Sequence, residues 1–380
     1  MLAESAPLPT FREVAAARTR IAELDIEIED LKRSIQARLT ERDKCCDVLA
    51  AVAQYKHPIL SLPAEITSEI FVRFLPSDLE FIPPIGPKSP SFLLRICRQW
   101  RGAALATPQL WSSIDLQLHG DRKSARNHQF KLFESWLKRS GNFPLSIRLW
   151  DMRRGSTSIA TSPKFKDAIL HHASRLQHVD IYLPYDDLRS FTAPMPLLCT
   201  ASVDPSDHPK PATTPSATAT ALFPLAPMLK QVALDLGYNP FATTLPWSQL
   251  TTLTASVNIS EAIYILRQST ALETCALTIY PLVTVPDHRR VPPLPIRTLS
   301  LLWASGNADE SAVQLVNART LPVLSTLVVS EFLLGSNPIA AISRLRPQGY
   351  PRTVTILHAG VSLDVYKEAF PDVELIVHPE

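Results

Sequence analysis

Six times between Leu176 and Val329 the chain repeats one apolar kernel, in which three mostly aliphatic positions are spaced by two residues and then by one. The instances are Leu176-x-x-Val179-x-Ile181, Leu229-x-x-Val232-x-Leu234, Leu250-x-x-Leu253-x-Ala255, Leu272-x-x-Cys275-x-Leu277, Ile296-x-x-Leu299-x-Leu301 and Leu324-x-x-Leu327-x-Val329. From Leu229 onward successive starts lie 21, 22, 24 and 28 residues apart. The closing x-apolar-x-apolar of each kernel is the alternation of a short strand with one buried face. A period this short has room for one strand and one return segment, so neighbouring units must stack and cover one another's apolar faces. Where apolar spacing allows, the return is helical, as at Ala262–Leu266 and Val313–Val316. Two earlier alternations, Ile114/Leu116/Leu118 and Leu145/Ile147/Leu149, enclose a helical pattern over Phe130–Leu137 and begin the same series.

These kernels and intervals resemble leucine-rich repeats, whose period is about 20 to 29 residues. The resemblance implies an α/β solenoid with a parallel sheet on its concave side, although the asparagine that usually ends the signature is missing and the turns are expected to be irregular. Another α/β arrangement stays open. Residues 117–380 are assigned to this region, with strand Val354–Leu357, helix Leu363–Phe370 and strand Val373–Val377 closing it. Residues from about 190 to 222 interrupt the period with Ala-Pro-Met-Pro and Asp-Pro-Ser-Asp-His-Pro-Lys-Pro, which carry little to bury and read as a disordered insert.

Between Pro9 and Pro58 there is neither glycine nor proline, which predicts one long helix, assigned to 11–56. Val14, Ala17, Ile21, Leu24, Ile28, Leu31 and Ile35 recur three and four apart, and the row resumes at Cys45, Leu49 and Val52 after Arg38 and Arg42. Arg20 with Asp25, and Glu27 with Lys32, stand at the spacing that joins opposite charges across a parallel coiled coil. A homodimer through this helix and a helix folded back on the chain's own body both fit the pattern.

Residues 57–116 carry three ordered motifs: Leu62-Pro63-x-Glu65-Ile66 followed by Ile70-Phe71, then Ile96-Cys97-Arg98-x-Trp100, then Pro108-x-Leu110-Trp111. Pro63 suits a first helical position and Glu65 the positive end of the helix dipole. A second helix is expected from Ser89-Pro90, with Leu93, Cys97, Trp100 and Ala104 on one face, and a short turn from Thr107-Pro108. About 55 residues of short helices sit at the size where a lone core is marginal, which suggests docking on something else. Together the motifs resemble an F-box, in its fungal F-box-like form. That resemblance implies a three-helix module bound to the Skp adaptor of a cullin-RING ubiquitin ligase. By motif position, Leu62, Pro63, Glu65, Ile66, Ile70, Phe71, Ile96, Cys97, Trp100, Leu110 and Trp111 are the adaptor-binding set, with Glu65, Leu110 and Trp111 finishing the module's shape. The segment Pro76–Pro90 is longer and richer in proline than in a compact box.

Composition excludes more than it assigns. A formal net charge of +2 offers no broad basic field for a phosphate backbone, so nucleic acid is not expected as a partner. Five cysteines without paired Cys-x-x-Cys spacing fit a reducing compartment, and no run of about 18 apolar residues occurs, so a cytoplasmic or nuclear protein without a membrane span is expected. Gly-x-Gly-x-x-Gly, Walker-type, Gly-x-Ser-x-Gly and His-Glu-x-x-His motifs are all absent. The cluster His171, His172 and His178 with Asp167 or Asp180 is the nearest approach to a zinc set, and reads as a solvated helix face. Asp186-Asp187 reads as a solvated turn, and Arg95, Arg98 and Arg101 as the outer side of the second helix. No enzyme, metal or cofactor is expected. The functional expectation is a substrate receptor that brings an unidentified target protein to the ligase; the alternative is a non-catalytic scaffold whose box does not engage it.

Overall fold

The computed structural model describes residues 10–54, 58–75, 81–118, 123–151, 163–183, 185–205, 220–234, 240–241, 243–280, 292–304, 321–345 and 351–379. The chain divides into two compact units, Met1–Ile66 and Thr67–Glu380.

In the first unit the glycine- and proline-free run forms helix α1 (Phe11–Gln54). Glu13 opens it by accepting from both the backbone N–H and the hydroxyl of Thr10 at 2.8 Å, which satisfies the frayed first turn. Every residue of α1 whose burial is described is exposed. A 3-10 turn, Pro58–Ser61, follows. Helix α2 (Ala64–Phe74) starts directly after Pro63, as the sequence predicts, and crosses the boundary into the second unit.

The second unit continues with α3 (Arg98–Leu105), β1 (Ser113–Leu118), α4 (Lys123–Arg139), β2 (Leu145–Asp151), α5 (Pro163–His171), β3 (Leu176–Leu183), α6 (Tyr185–Leu188), β4 (Thr200–Pro205), β5 (Thr220–Ala221), β6 (Gln231–Leu234) and β7 (Thr243–Thr244). It ends with β8 (Thr252–Val257), α7 (Ile259–Gln268), β9 (Thr274–Ile279), β10 (Thr298–Trp303), β11 (Thr326–Ser330), α8 (Pro338–Leu345), β12 (Thr353–Ala359), α9 (Leu363–Ala369) and β13 (Glu374–Pro379). Eleven strands pair in chain order into one parallel sheet, β5 and β7 pairing apart from it, so the class is mixed α/β. All six kernels of the repeat lie on its strands or lead into them, and the terminal strand, helix and strand are present as β12, α9 and β13.

Register turns the repeat into continuous buried columns. Val232, Leu253, Cys275, Leu299, Leu327 and Val354 align across six strands, and Leu234, Ala255, Leu277, Leu301, Val329 and Ile356 form the next column. None of these is more than 3% exposed. The first apolar position of each kernel is fully buried; Leu176 opens β3, and Leu229, Leu250, Leu272, Ile296 and Leu324 lie just before their strands. Each such side chain contributes about 1.5–3 kcal/mol on leaving water. Two carboxylates, Glu261 buried and Glu331 half-buried, tie the return segments in place. Glu261 closes a capping box with Asn258 at the start of α7 and accepts from the Tyr280 hydroxyl at 3.0 Å, while Glu331 accepts from the Tyr366 hydroxyl at 2.9 Å.

Three expectations change. The segment assigned to a disordered insert supplies β4, paired between β3 and β6, with Phe191, Met195, Leu198, Ala201 and Val203 buried; Thr220–Ala221 forms β5, and residues 206–219 lie outside the described residues. Loop and strand there hide apolar side chains between the prolines, a burial that periodicity does not register. The second helix of 57–116 is two elements, a 3-10 helix Pro90–Arg95 capped by Ser89 and then α3, because Cys97 takes an extended conformation and its Sγ accepts from the Trp100 N–H at 3.4 Å. Asp187 is buried and ion-paired with Lys166 at 2.9 Å, so it is no solvated turn. The return predicted over Val313–Val316 lies outside the described residues.

The proline-rich segment is packed where it is described. Phe81 and Ile82 are buried, and the Ile82 carbonyl accepts from the Asp115 N–H at 2.8 Å along the outer edge of β1. The Pro84 carbonyl accepts from the hydroxyls of Ser89 and Ser91. Residues 67–116 thus share one unit with the sheet.

Candidate functional site

Helix α2 presents apolar side chains on more than one face, and its neighbours cover only part of them. Phe71 is buried edge-on against Trp100, ring centroids 5.0 Å apart. Beside it the Thr107 hydroxyl donates to the Ala103 carbonyl and shares a hydrogen bond with the Ser68 hydroxyl, each at 2.8 Å, drawing α2, α3 and the Pro108–Trp111 turn together. Leu110 and Trp111 are fully buried. Trp111 donates from its indole nitrogen to the Ala104 carbonyl at 2.9 Å, stands edge-on to Trp136 of α4 at 4.8 Å and lies under the Arg139 guanidinium at 4.6 Å.

The eleven expected docking residues therefore separate. Phe71, Leu110 and Trp111 are core and offer a partner no surface; Leu110 and Trp111 keep the shape-holding role expected of them, and Phe71, expected as a contact, joins them. Ile66, Ile70 and Ile96 are 49%, 42% and 47% exposed, large values for isoleucine. Pro63 and Glu65 are exposed, and Leu62, Cys97 and Trp100 half-buried. Leu62, Pro63, Glu65 and Ile66 belong to the first unit.

The docking set taken from the motifs leaves out part of the apolar surface, including Phe74, which continues the row Leu62, Ile66 and Ile70. Phe74 and Phe92 are each more than 40% exposed and stack on each other at 6.5 Å, and Leu105 is equally open. Phe74 follows Ile70 by one helical turn, so Ile70, Phe74 and Phe92 form a continuous strip. The spacing of Ile70 and Phe74 is visible in the sequence, whereas the stacking partner of Phe74 comes from across the proline-rich segment. Flanking charges are of both signs: Glu69 pairs with Arg73 at 2.7 Å, and Arg95, Arg98 and Arg101 are exposed. An apolar strip framed this way suits a protein partner.

A second open surface is the strand face opposite the buried columns. Thr252, Thr274, Thr298, Thr326 and Thr353 stand in one half-buried row across β8 to β12, with Thr254, Ala276, Ser300, Val328 and Thr355 in the next. At the β1 end the same face becomes charged and aromatic. Arg148 lies between Asp180 at 2.6 Å and Asp115 at 3.7 Å, with its guanidinium over Phe81 at 4.4 Å, and the Trp150 indole donates to Asp180 at 3.2 Å. Burial holds the Asp115 carboxyl above its usual range despite Arg148.

No catalytic constellation stands out among the described residues. The Glu261–Tyr280 and Glu331–Tyr366 pairs are tied into caps and loops, with both phenols pushed up by burial and by their carboxylate neighbours. His171 and His172 meet edge-on at 5.0 Å at the rim of a groove between α4 and α5, where burial and then Arg175 lower the His172 pKa. Among the described residues no group of three His, Cys, Asp or Glu side chains is placed to hold a metal ion, and no helix is long and apolar enough to cross a membrane. No protein-family model matches the chain, and no curated protein matches it at a significant level.

Proposed function

We propose that the chain is a substrate receptor of a Skp-cullin-RING ubiquitin ligase, acting in the cytoplasm or nucleus. It contributes no catalytic group; it holds a target protein near the transferred ubiquitin, so its effect is one of proximity. Ile66, Ile70 and Ile96, with Cys97 and Trp100 beside them and Leu62 and Pro63 at the helix entry, contact the adaptor. Phe71, Leu110 and Trp111 keep the helices in shape. The region from residue 117 serves as a leucine-rich-repeat-like solenoid whose open strand face receives the target.

The observation that carries the proposal is the exposure of Ile70 and Ile96, large apolar residues within motifs that resemble those an F-box uses for docking, on helices whose core is already filled by Phe71, Leu110 and Trp111. Co-purification tests it. The wild type should bring down a Skp-type adaptor and a cullin, and a Leu62→Ala/Pro63→Ala variant should not. Recovery of other proteins without any cullin supports the alternative, a scaffold assembled on the sheet. The anchoring of Ile82 on β1 favours that alternative, since it ties the helices to the sheet body.

A further inference from the structure

The geometry of α1 points to a second copy of this chain as its partner, in a parallel two-stranded coiled coil over Val14–Ile35. This inference is independent of the ligase proposal. Written as heptads, Val14, Ile21, Ile28 and Ile35 occupy a, and Ala17, Leu24 and Leu31 occupy d. Branched residues at a with leucine at d favour two parallel strands over three or four, because of how each knob enters the facing hole. These side chains are open in the single chain: Ile21, Leu31 and Ile35 are 58%, 57% and 58% exposed. The seam runs roughly 30 Å at 1.5 Å per residue, and no described residue of the first unit packs over it.

The charges beside the seam select the same partner. Arg20 at g faces Asp25 at e of the second copy, and Glu27 at g faces Lys32 at e, with each pair formed twice in a symmetric dimer. Glu13 and Arg18 repeat the relation one heptad earlier. Within one chain, among the described residues, Arg20 pairs with exposed Glu23 at 3.0 Å and Lys32 with exposed Glu29 at 2.8 Å, contacts too weak to hold them there. Arg38 at d and Arg42 at a would face their own copies, so the tight segment ends at Ile35.

Sedimentation equilibrium of the full chain at low micromolar concentration, in reducing buffer, tests the inference. The wild type should give the mass of two chains, and Ile21→Glu/Ile28→Glu the mass of one. All six tryptophans lie beyond residue 99 in the second unit, so an unchanged fluorescence melt in that variant shows that loss of the dimer is not loss of the fold. Leu24→Cys in a Cys45→Ser/Cys46→Ser background should cross-link to itself on oxidation, because in-register parallel helices bring the two d positions within a disulfide's span. A wild type of one chain, or of three or more, overturns the inference. So does a doubled mass that survives the glutamates, or a dimer in which the Leu24→Cys variant does not cross-link.

Discussion

Replacing Phe71 with alanine removes a ring that is 2% exposed and stands edge-on to Trp100, and the space it leaves is bounded by α3, which cannot follow it. Such a truncation costs about 3–5 kcal/mol of stability. The next residue back predicts the reverse. Ile70 is 42% exposed, and alanine keeps its Cβ, so Ile70→Ala gives up only part of the 1.5–3 kcal/mol of a fully buried aliphatic side chain, about 1 kcal/mol or less. If Ile70 is an anchor for the adaptor, the same change costs about 2 kcal/mol of binding, roughly 30-fold in Kd. Urea unfolding followed by tryptophan fluorescence measures the first quantity and calorimetric titration with a Skp adaptor the second. Equal destabilisation by the two variants, or unchanged adaptor affinity in Ile70→Ala, would refute the division of this helix into a packing face and a docking face.

Alkaline stability follows from two phenols, Tyr366 buried and Tyr280 half-buried. Tyr280 and Tyr366 titrate above the ordinary phenol value near 10, so each favours the folded state fully below that pH and progressively less as the pH rises past it. The melting temperature should fall above pH 10, and absorbance at 295 nm should show two phenols ionising only as the chain unfolds. Asn258→Ala removes the acceptor for the Glu261 N–H at 3.0 Å and opens the capping box of α7, which should cost about 1–2 kcal/mol in the same urea assay, whereas Asn258→Ser should recover most of it.

How far the fold can be read in the sequence depends on how strongly a segment alternates. β9 and β10 carry Cys275/Leu277 and Leu299/Leu301 between threonines and small residues, and such contrast specifies a strand by itself. β4 offers only Ala201 and Val203, a methyl and an isopropyl group, against Thr200, Ser202 and Asp204, and its place in the sheet is decided by pairing on both sides. The helix entry at Pro63 and the cap at Ser89 are local and legible. The break at Cys97 is not, because a thiol capping the Trp100 N–H is a rare device with no composition cue. At the candidate site the motifs mark the right helices but do not separate buried from open positions: Phe71 and Ile70 look alike in sequence and differ through Trp100.

The bond from the Asp115 N–H to the Ile82 carbonyl, together with Trp111 wedged against Trp136, ties the short helices to the first strand of the sheet. Ile70, Phe74 and Phe92 are thereby kept at one bearing and one distance from the open strand face. If a partner sits on each surface, as proposed, the chain sets their spacing like a ruler rather than a leash.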